Sequence, residues 1–142
     1  MKQSINNIHR VVVHCAATKP SMDIGRKEID SWHKANGWAG IGYHYVIRRN
    51  GEVELGRDLT EVPAANGAGN NLNTITICWV GGLNQQTGKP EDNRTLEQRK
   101  FLYELRKNLD VLLNNPKWIG HRDIPGVKKD CPCFDVKTEF YE

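Results

Sequence analysis

The chain has 142 residues, 38% of them hydrophobic and 26% charged, with a formal net charge of +3. That length fits one domain, residues 1–142, with a sizeable core, and the balance is ordinary for a globular protein. The mild positive charge forms no basic patch pointing to nucleic acid, and no apolar run reaches the ~20 residues of a membrane span.

The first residues, "MKQSINNIHRVVVHC", carry no apolar signal segment. The chain is therefore expected to be made and kept in a cytoplasm until something else moves it. "HRVVVHCAA" reads as a short buried strand, β-branched and apolar at nearly every position. "GRKEIDSWHKANG" reads as a helix with Ile29, Trp32 and His33 on one side and Gly37 as its stop. "GYHYVIRRNGEVELGR" reads as a hairpin turning at Asn50-Gly51. "NTITICWVGG" is a second apolar strand, and "NQQTGKPEDNRT" is a polar connector. Thr95 and Gln98 have capping-box spacing and open the longest helix, along which Leu102, Leu105, Leu109 and Leu112 recur before Asn114-Asn115-Pro116 stops it. "KWIGH" is a short strand, and the tail "FDVKTEFYE" is a final short helix. Strands alternating with helices predict an α/β fold, a mixed central β-sheet flanked by helices.

Between the last strand and the tail lies "GHRDIPGVKKDCPCFDV", which packs a histidine, a lysine pair and two cysteines into one turn-rich run. A domain of this size in a reducing compartment has no need of disulfides. Cys15 and Cys78 sit in apolar strands and read as small buried hydrophobes. Cys131 and Cys133 need another account. His14 closes "VVVH" and His121 closes "WIGH", so both stand where strands end, the place ligands gather in open α/β sheets. Cys131 lies ten residues past His121, enough to fold back through Pro125-Gly126. A His–His–Cys zinc set with an open fourth position is then reasonable. From spacing alone, satisfied structural histidines with a free thiol stand equally open, as does a Cys–His nucleophilic pair activated by Lys128 and Lys129. The chain has no H-E-x-x-H helix, no deaminase signature, no G-x-S-x-G and no phosphate-binding glycine loop.

"VVHCAATKP", "WHKANGW", "GYHYVIRRNGEVELGRD", "TICWVGG" and "CPCFDVK", in this order, resemble the phage lysozymes that are N-acetylmuramoyl-L-alanine amidases, kin of the peptidoglycan recognition proteins. The resemblance runs from about Val11 to the tail. It implies one zinc ion held by His14, His121 and Cys131, with Tyr43 and Lys129 as catalytic groups. Lys129 rather than Lys128 fits the family's K-x-C-P-x-F-D segment, and Cys133 falls where relatives carry a small residue such as serine. It implies peptidoglycan as the partner and cleavage of the amide between N-acetylmuramic acid and L-alanine.

Two positions depart from the family pattern. Asn66 in "NGAG" stands where relatives often carry a substrate-touching histidine, and is expected to hydrogen-bond sugar or peptide. Cys78, Trp79 and Val80 offer no carboxylate where some distant relatives have one. Some phage relatives also bind RNA polymerase, and nothing in this sequence carries that property over. His9, His33 and His44 read as structural or exposed, with His44 facing away from Tyr43 on a strand. Trp38 could line a glycan groove, whereas Trp79 reads as core. A wall substrate without a signal peptide suggests a phage or prophage endolysin released through a membrane lesion. The alternatives are a cytoplasmic muropeptide-recycling amidase, whose relatives carry aspartate in place of Cys131, and a non-catalytic peptidoglycan-binding module.

Overall fold

A computed structural model describes residues 1–141. Its elements run β1 (Arg10–Cys15), α1 (Arg26–Ala35), β2 (Tyr45–Ile47), β3 (Val53–Leu55), β4 (Thr74–Trp79), α2 (Leu96–Leu112), β5 (Lys117–Gly120) and α3 (Val136–Tyr141). The five strands form one sheet in the order β3-β2-β4-β1-β5. Only the β2–β3 hairpin is antiparallel, so the sheet is mixed and the α/β expectation holds.

The centre of that sheet explains the apolar runs. β1 and β4 have neighbours on both edges and helices on both faces, so Val11, Val12, Val13, Ile75 and Ile77 are fully buried. Side chains alternate along β1. Val11 and Val13 join the core with Leu102 and Leu109 of α2 and Phe140 of α3. Val12 and His14 point to the other face, where Ile29 of α1 packs with Val46 and Cys78.

Local chemistry sets the element ends. Gln98 N donates to Thr95 Oγ1 and Thr95 N donates to Gln98 Oε1, both at 3.0 Å, which completes the expected capping box. The Gln98 amide also donates to the carbonyls of Ile47 and Val80, clipping α2 onto the sheet. Gly51 takes φ +89° in the hairpin turn, a left-handed conformation open to glycine at little cost.

Arg94, 6% exposed, donates to Asp92 at 2.9 Å and to Glu139 of α3 at 2.7 Å, and lies 3.5 Å over the Phe134 ring. Its charge is satisfied on both sides, as a buried guanidinium requires. The cluster ties the entry of α2 to α3 and to the segment just past Cys133.

Three expectations need correction. Trp32 is 41% exposed and lies outside the core, because a single buried residue, Ile29, carries the contact of α1 with the sheet. Leu112 is 53% exposed, and Leu113 is buried in its place, since the apolar face has rotated by the end of a seventeen-residue helix. His44 precedes β2 instead of lying on a strand; it is nonetheless buried, as a structural histidine. Helix α3 matches the expected tail, whose last residue, Glu142, is outside the described residues. Among the described residues no helix is long and apolar enough to cross a membrane.

The His44 ring accepts from Thr76 N at 3.0 Å through Nδ1 and donates to the Glu61 carbonyl at 2.7 Å through Nε2. Burial lowers its pKa from 6.5 to about 4. The unfolded chain therefore takes up this proton first as the pH falls. Stability held by neutral His44 is complete above about 6.5 and drains away towards about 4, on the order of 3 kcal/mol in full. His44→Gln keeps one donor and one acceptor without titrating. Urea unfolding should show a smaller loss of stability between about pH 7 and pH 4.5 in that variant than in the wild type. Equal losses would show that His44 is not the group responsible.

Candidate metal centre

The site follows from strand register. Parallel pairing sets Val13 opposite Gly120, so the next residues, His14 and His121, emerge side by side at the ends of β1 and β5. Their ring centroids are 4.4 Å apart. The chain then turns through His121–Asp123 and folds back, and Arg122 N donates to the Cys131 carbonyl at 2.9 Å. Gly120 makes this return possible: a Cβ there would stand 2.7 Å from Pro132 Cδ. Trp79 Nε1 donates to the Pro132 carbonyl at 3.0 Å, so the core tryptophan also fixes the loop that carries Cys131.

His14, His121 and Cys131 thus form a cluster whose ligand atoms all lie within 4.8 Å of one another. Cys131 Sγ is 3.8 Å from His14 Nδ1 and accepts the Cys15 backbone N–H at 3.2 Å. Cys133, two residues on, has φ +70° and turns its thiol to the Gly82 carbonyl at 3.5 Å, away from the histidines. The structure thus brings Cys131, and not Cys133, to the two histidines.

Burial and neighbouring charges set the protonation states of the three groups. Burial, the neighbouring His121 and Lys129 bring the His14 pKa down to about 3 against the opposing Asn66 hydrogen bond. Burial and Lys129 lower that of His121. The thiol of Cys131 is lowered by hydrogen bonds from the Cys15 side chain and backbone and by Lys129, against burial and Cys133. Two neutral imidazoles and a thiol biased towards thiolate form a donor set of the kind zinc takes. Donors around tetrahedral zinc stand about 3.3–3.7 Å apart, and the His14–Cys131 separation is already close to that range.

The cluster floors a small cavity of about 270 Å³, walled by Tyr43, His33, Trp38 and Lys129. The Tyr43 ring is tilted against both histidines, its centroid 5.3 Å from that of His14 and 5.5 Å from that of His33. Burial pushes its phenol well above the ordinary range, with the Cys78 and Cys131 thiols adding to the effect, so it stays a neutral donor at neutral pH. This cavity adjoins a wider groove of about 540 Å³ that shares Trp38, His121 and Lys129 and adds Asn66 and Lys128. Lys129 reaches both spaces, whereas Lys128 lines only the outer one.

Most of the remaining residues lie where expected, and some have further contacts. Trp38, 45% exposed, lines the groove as expected, and Trp79 is core. His33 packs as expected, accepting Gly42 N–H at 2.9 Å, yet it also walls the inner cavity. Its place in W-H-K, five residues before Trp38, was the available signal. Cys15 is a buried core residue as read, and it also supports Cys131; the signal for that was adjacency to His14 at a strand end. Asn66 is 1% exposed and its Oδ1 lies 2.7 Å from His14 Nε2, so its carbonyl oxygen is engaged inside the protein and not offered to substrate. His9 is exposed.

Fold and site together define a mixed α/β protein with a three-donor cluster at the floor of a cleft. Residues 4–134 match the family model described as N-acetylmuramoyl-L-alanine amidase. The endolysin of Klebsiella phage KP32 is 41% identical over 128 residues, covering 90% of this chain and 82% of that protein. Among solved structures, the N-acetylmuramoyl-L-alanine amidase LysC from Clostridium intestinale superposes with a TM-score of 0.78 at 27% identity, over 98% of this chain and 86% of LysC. Drosophila peptidoglycan recognition protein SD shares the fold, with a TM-score of 0.75 at 20% identity over 92% of this chain and 77% of that one. The chain belongs to the N-acetylmuramoyl-L-alanine amidase family.

The thiol environments yield a direct test. In metal-free protein near neutral pH, an alkylating reagent should modify Cys131 first, because its pKa is lowered and it is partly exposed. Fully buried Cys78 should react last. Peptide mass spectrometry after timed quenching reads the order; Cys133 reacting ahead of Cys131 would contradict it.

Proposed function

We propose that this chain hydrolyses the amide between the lactyl group of N-acetylmuramic acid and L-alanine in peptidoglycan, using one zinc ion held by His14, His121 and Cys131, as a phage or prophage endolysin. The observation that carries the reading is the convergence of those three donor atoms within 4.8 Å below a groove. Bound zinc supplies Lewis acidity, which acidifies water and polarises a carbonyl oxygen.

The chain's own groups supply the remaining chemistry. The Lys129 ammonium, at the junction of cavity and groove, offsets negative charge as it develops on the amide oxygen. Tyr43, a neutral phenol on the cavity wall, donates a hydrogen bond to the reacting water or passes a proton towards the leaving nitrogen. Trp38 offers an apolar face to a sugar ring at the groove wall. Among the described residues, neither cavity is lined by an aspartate or glutamate. Glycosidic cleavage by two flanking carboxylates therefore has no support in this groove.

Purified protein should hold about one zinc per chain, the number a single three-ligand site takes. Cys131→Ser and His14→Ala should each remove it, and Cys133→Ser should leave it in place. Metal analysis that finds zinc intact in the first two variants, or lost in the third, would overturn the ligand assignment.

Digested sacculi should release new N-terminal L-alanine with no rise in reducing sugar ends. Lys129→Ala and Tyr43→Phe should keep zinc and lose ~10²–10³ in turnover, the usual cost of removing one group that acts as charge develops. Lys128→Ala should retain turnover. New reducing ends without new amino termini would mean a glycosidase. Faster turnover of soluble anhydro-muropeptides than of intact sacculi would favour the recycling role. Binding to sacculi with neither product would favour a binding module.

A further inference from the structure

Asn66 sits in the loop between β3 and β4, fifty-two residues from His14 in sequence. Its side chain is buried and makes two hydrogen bonds. Oδ1 faces His14 Nε2 at 2.7 Å, and Nδ2 donates to the Asn70 carbonyl at 3.0 Å. The second bond fixes the orientation of the amide. A backbone carbonyl only accepts, so a flipped amide would set oxygen against oxygen at Asn70. With Oδ1 thus held towards His14, the facing ring nitrogen must carry a hydrogen. His14 is then the Nε2–H form, and the lone pair of Nδ1 points to Cys131 and His121.

The loop holding Asn66 is itself built for that placement. Asn66 N donates to Asn71 Oδ1 at 3.0 Å, and Asn71 Nδ2 donates to the Gly67 carbonyl at 3.2 Å. Gly67, at φ +90°, closes the turn in a conformation that glycine adopts readily. Two asparagines therefore spend their amides on geometry within the loop and on His14.

We propose that Asn66 is the positioning residue that fixes His14 as the Nε2–H tautomer and orients its Nδ1 into the donor cluster. The proposal rests on the reading of His14 as a zinc ligand. A ligating histidine takes its ring orientation from whatever its other nitrogen bonds, and loss of such a partner typically costs 10–100-fold in metal affinity. Asn66→Leu keeps the size and removes the acceptor. Asn66→Gln keeps both the acceptor and the donor of the amide.

The test begins on metal-free wild-type protein with ¹⁵N-labelled histidine, using long-range proton–nitrogen correlation spectra. His14 should show a protonated Nε2 and an unprotonated Nδ1, with a slowly exchanging, downfield Nε2–H proton. In Asn66→Leu that proton should exchange fast, and zinc affinity measured by chelator competition should fall ~10–100-fold. Asn66→Gln should retain the proton signal and lose less affinity than Asn66→Leu. Thermal unfolding of the metal-free variants separates loss of fold from loss of positioning. A protonated Nδ1 in the wild type overturns the proposal. So does affinity in Asn66→Leu within about threefold of wild type, or equal loss in the leucine and glutamine variants. Wild-type protein that takes up no zinc would refute the metal reading instead. The spectrum of the metal-free protein tests Asn66 independently of that result.

Discussion

The parallel pairing of β1 with β5 is the constraint from which the site follows. Because Val13 stands opposite Gly120, the residues that leave the two strands are neighbours, and both are histidines. A one-residue slip would turn every side chain of β5 to the other face and separate the rings. The register is secured by burial: Val11 and Val13 face α2 and α3, while Val12 faces the opposite layer with Ile119 and Ile124. The same hydrophobic pattern that folds the sheet therefore aligns the first two members of the cluster. The third arrives by a return loop held at several points, by Trp79 on Pro132, by the tight approach to Gly120, and by Arg94 stacked on Phe134.

Burial then decides the chemistry of these groups. An imidazole out of water resists a charge, and a second imidazole and an ammonium nearby reinforce that resistance. The histidines are therefore neutral, with lone pairs free. The thiol is treated oppositely, since Cys15 and Lys129 favour its anion. Lys129 itself stays exposed at the rim, where its charge is solvated. A cation there lies beside the donors without entering the core, which spares the protein the cost of a buried, unpaired charge.

Much of this was legible in the chain. Local signals reported themselves: the apolar runs of β1 and β4, the Asn50-Gly51 hairpin, the Thr95–Gln98 capping box, and histidines at two strand ends. The resemblance to amidases then singled out Cys131 over Cys133. What escaped depends on contacts between distant segments. Asn66 meets His14 across fifty-two residues, and no periodicity encodes such a meeting. Cys15 is a buried hydrophobe in an apolar strand, yet its backbone N–H is also aimed at the sulfur of a residue 116 positions away. Trp32 and Leu112 were misplaced because helical spacing defines a face but not how far the partner surface extends along it.

The two thiols of Cys131-Pro132-Cys133 show how finely the choice of donor is made. Both flank the same proline and both are partly buried. Cys131 receives the Cys15 N–H and lies beside His14. Cys133, in the left-handed backbone region, is carried towards Gly82 and comes within 3.7 Å of the Cys15 thiol instead. A thiol that receives a hydrogen bond is stabilised as the anion, and one facing a carbonyl and another thiol is stabilised in the protonated form. The pKa of Cys131 is accordingly lowered and that of Cys133 raised. Their different tasks follow from what each sulfur faces. Cys15 divides them, supporting one through its hydrogen bonds while standing against the other.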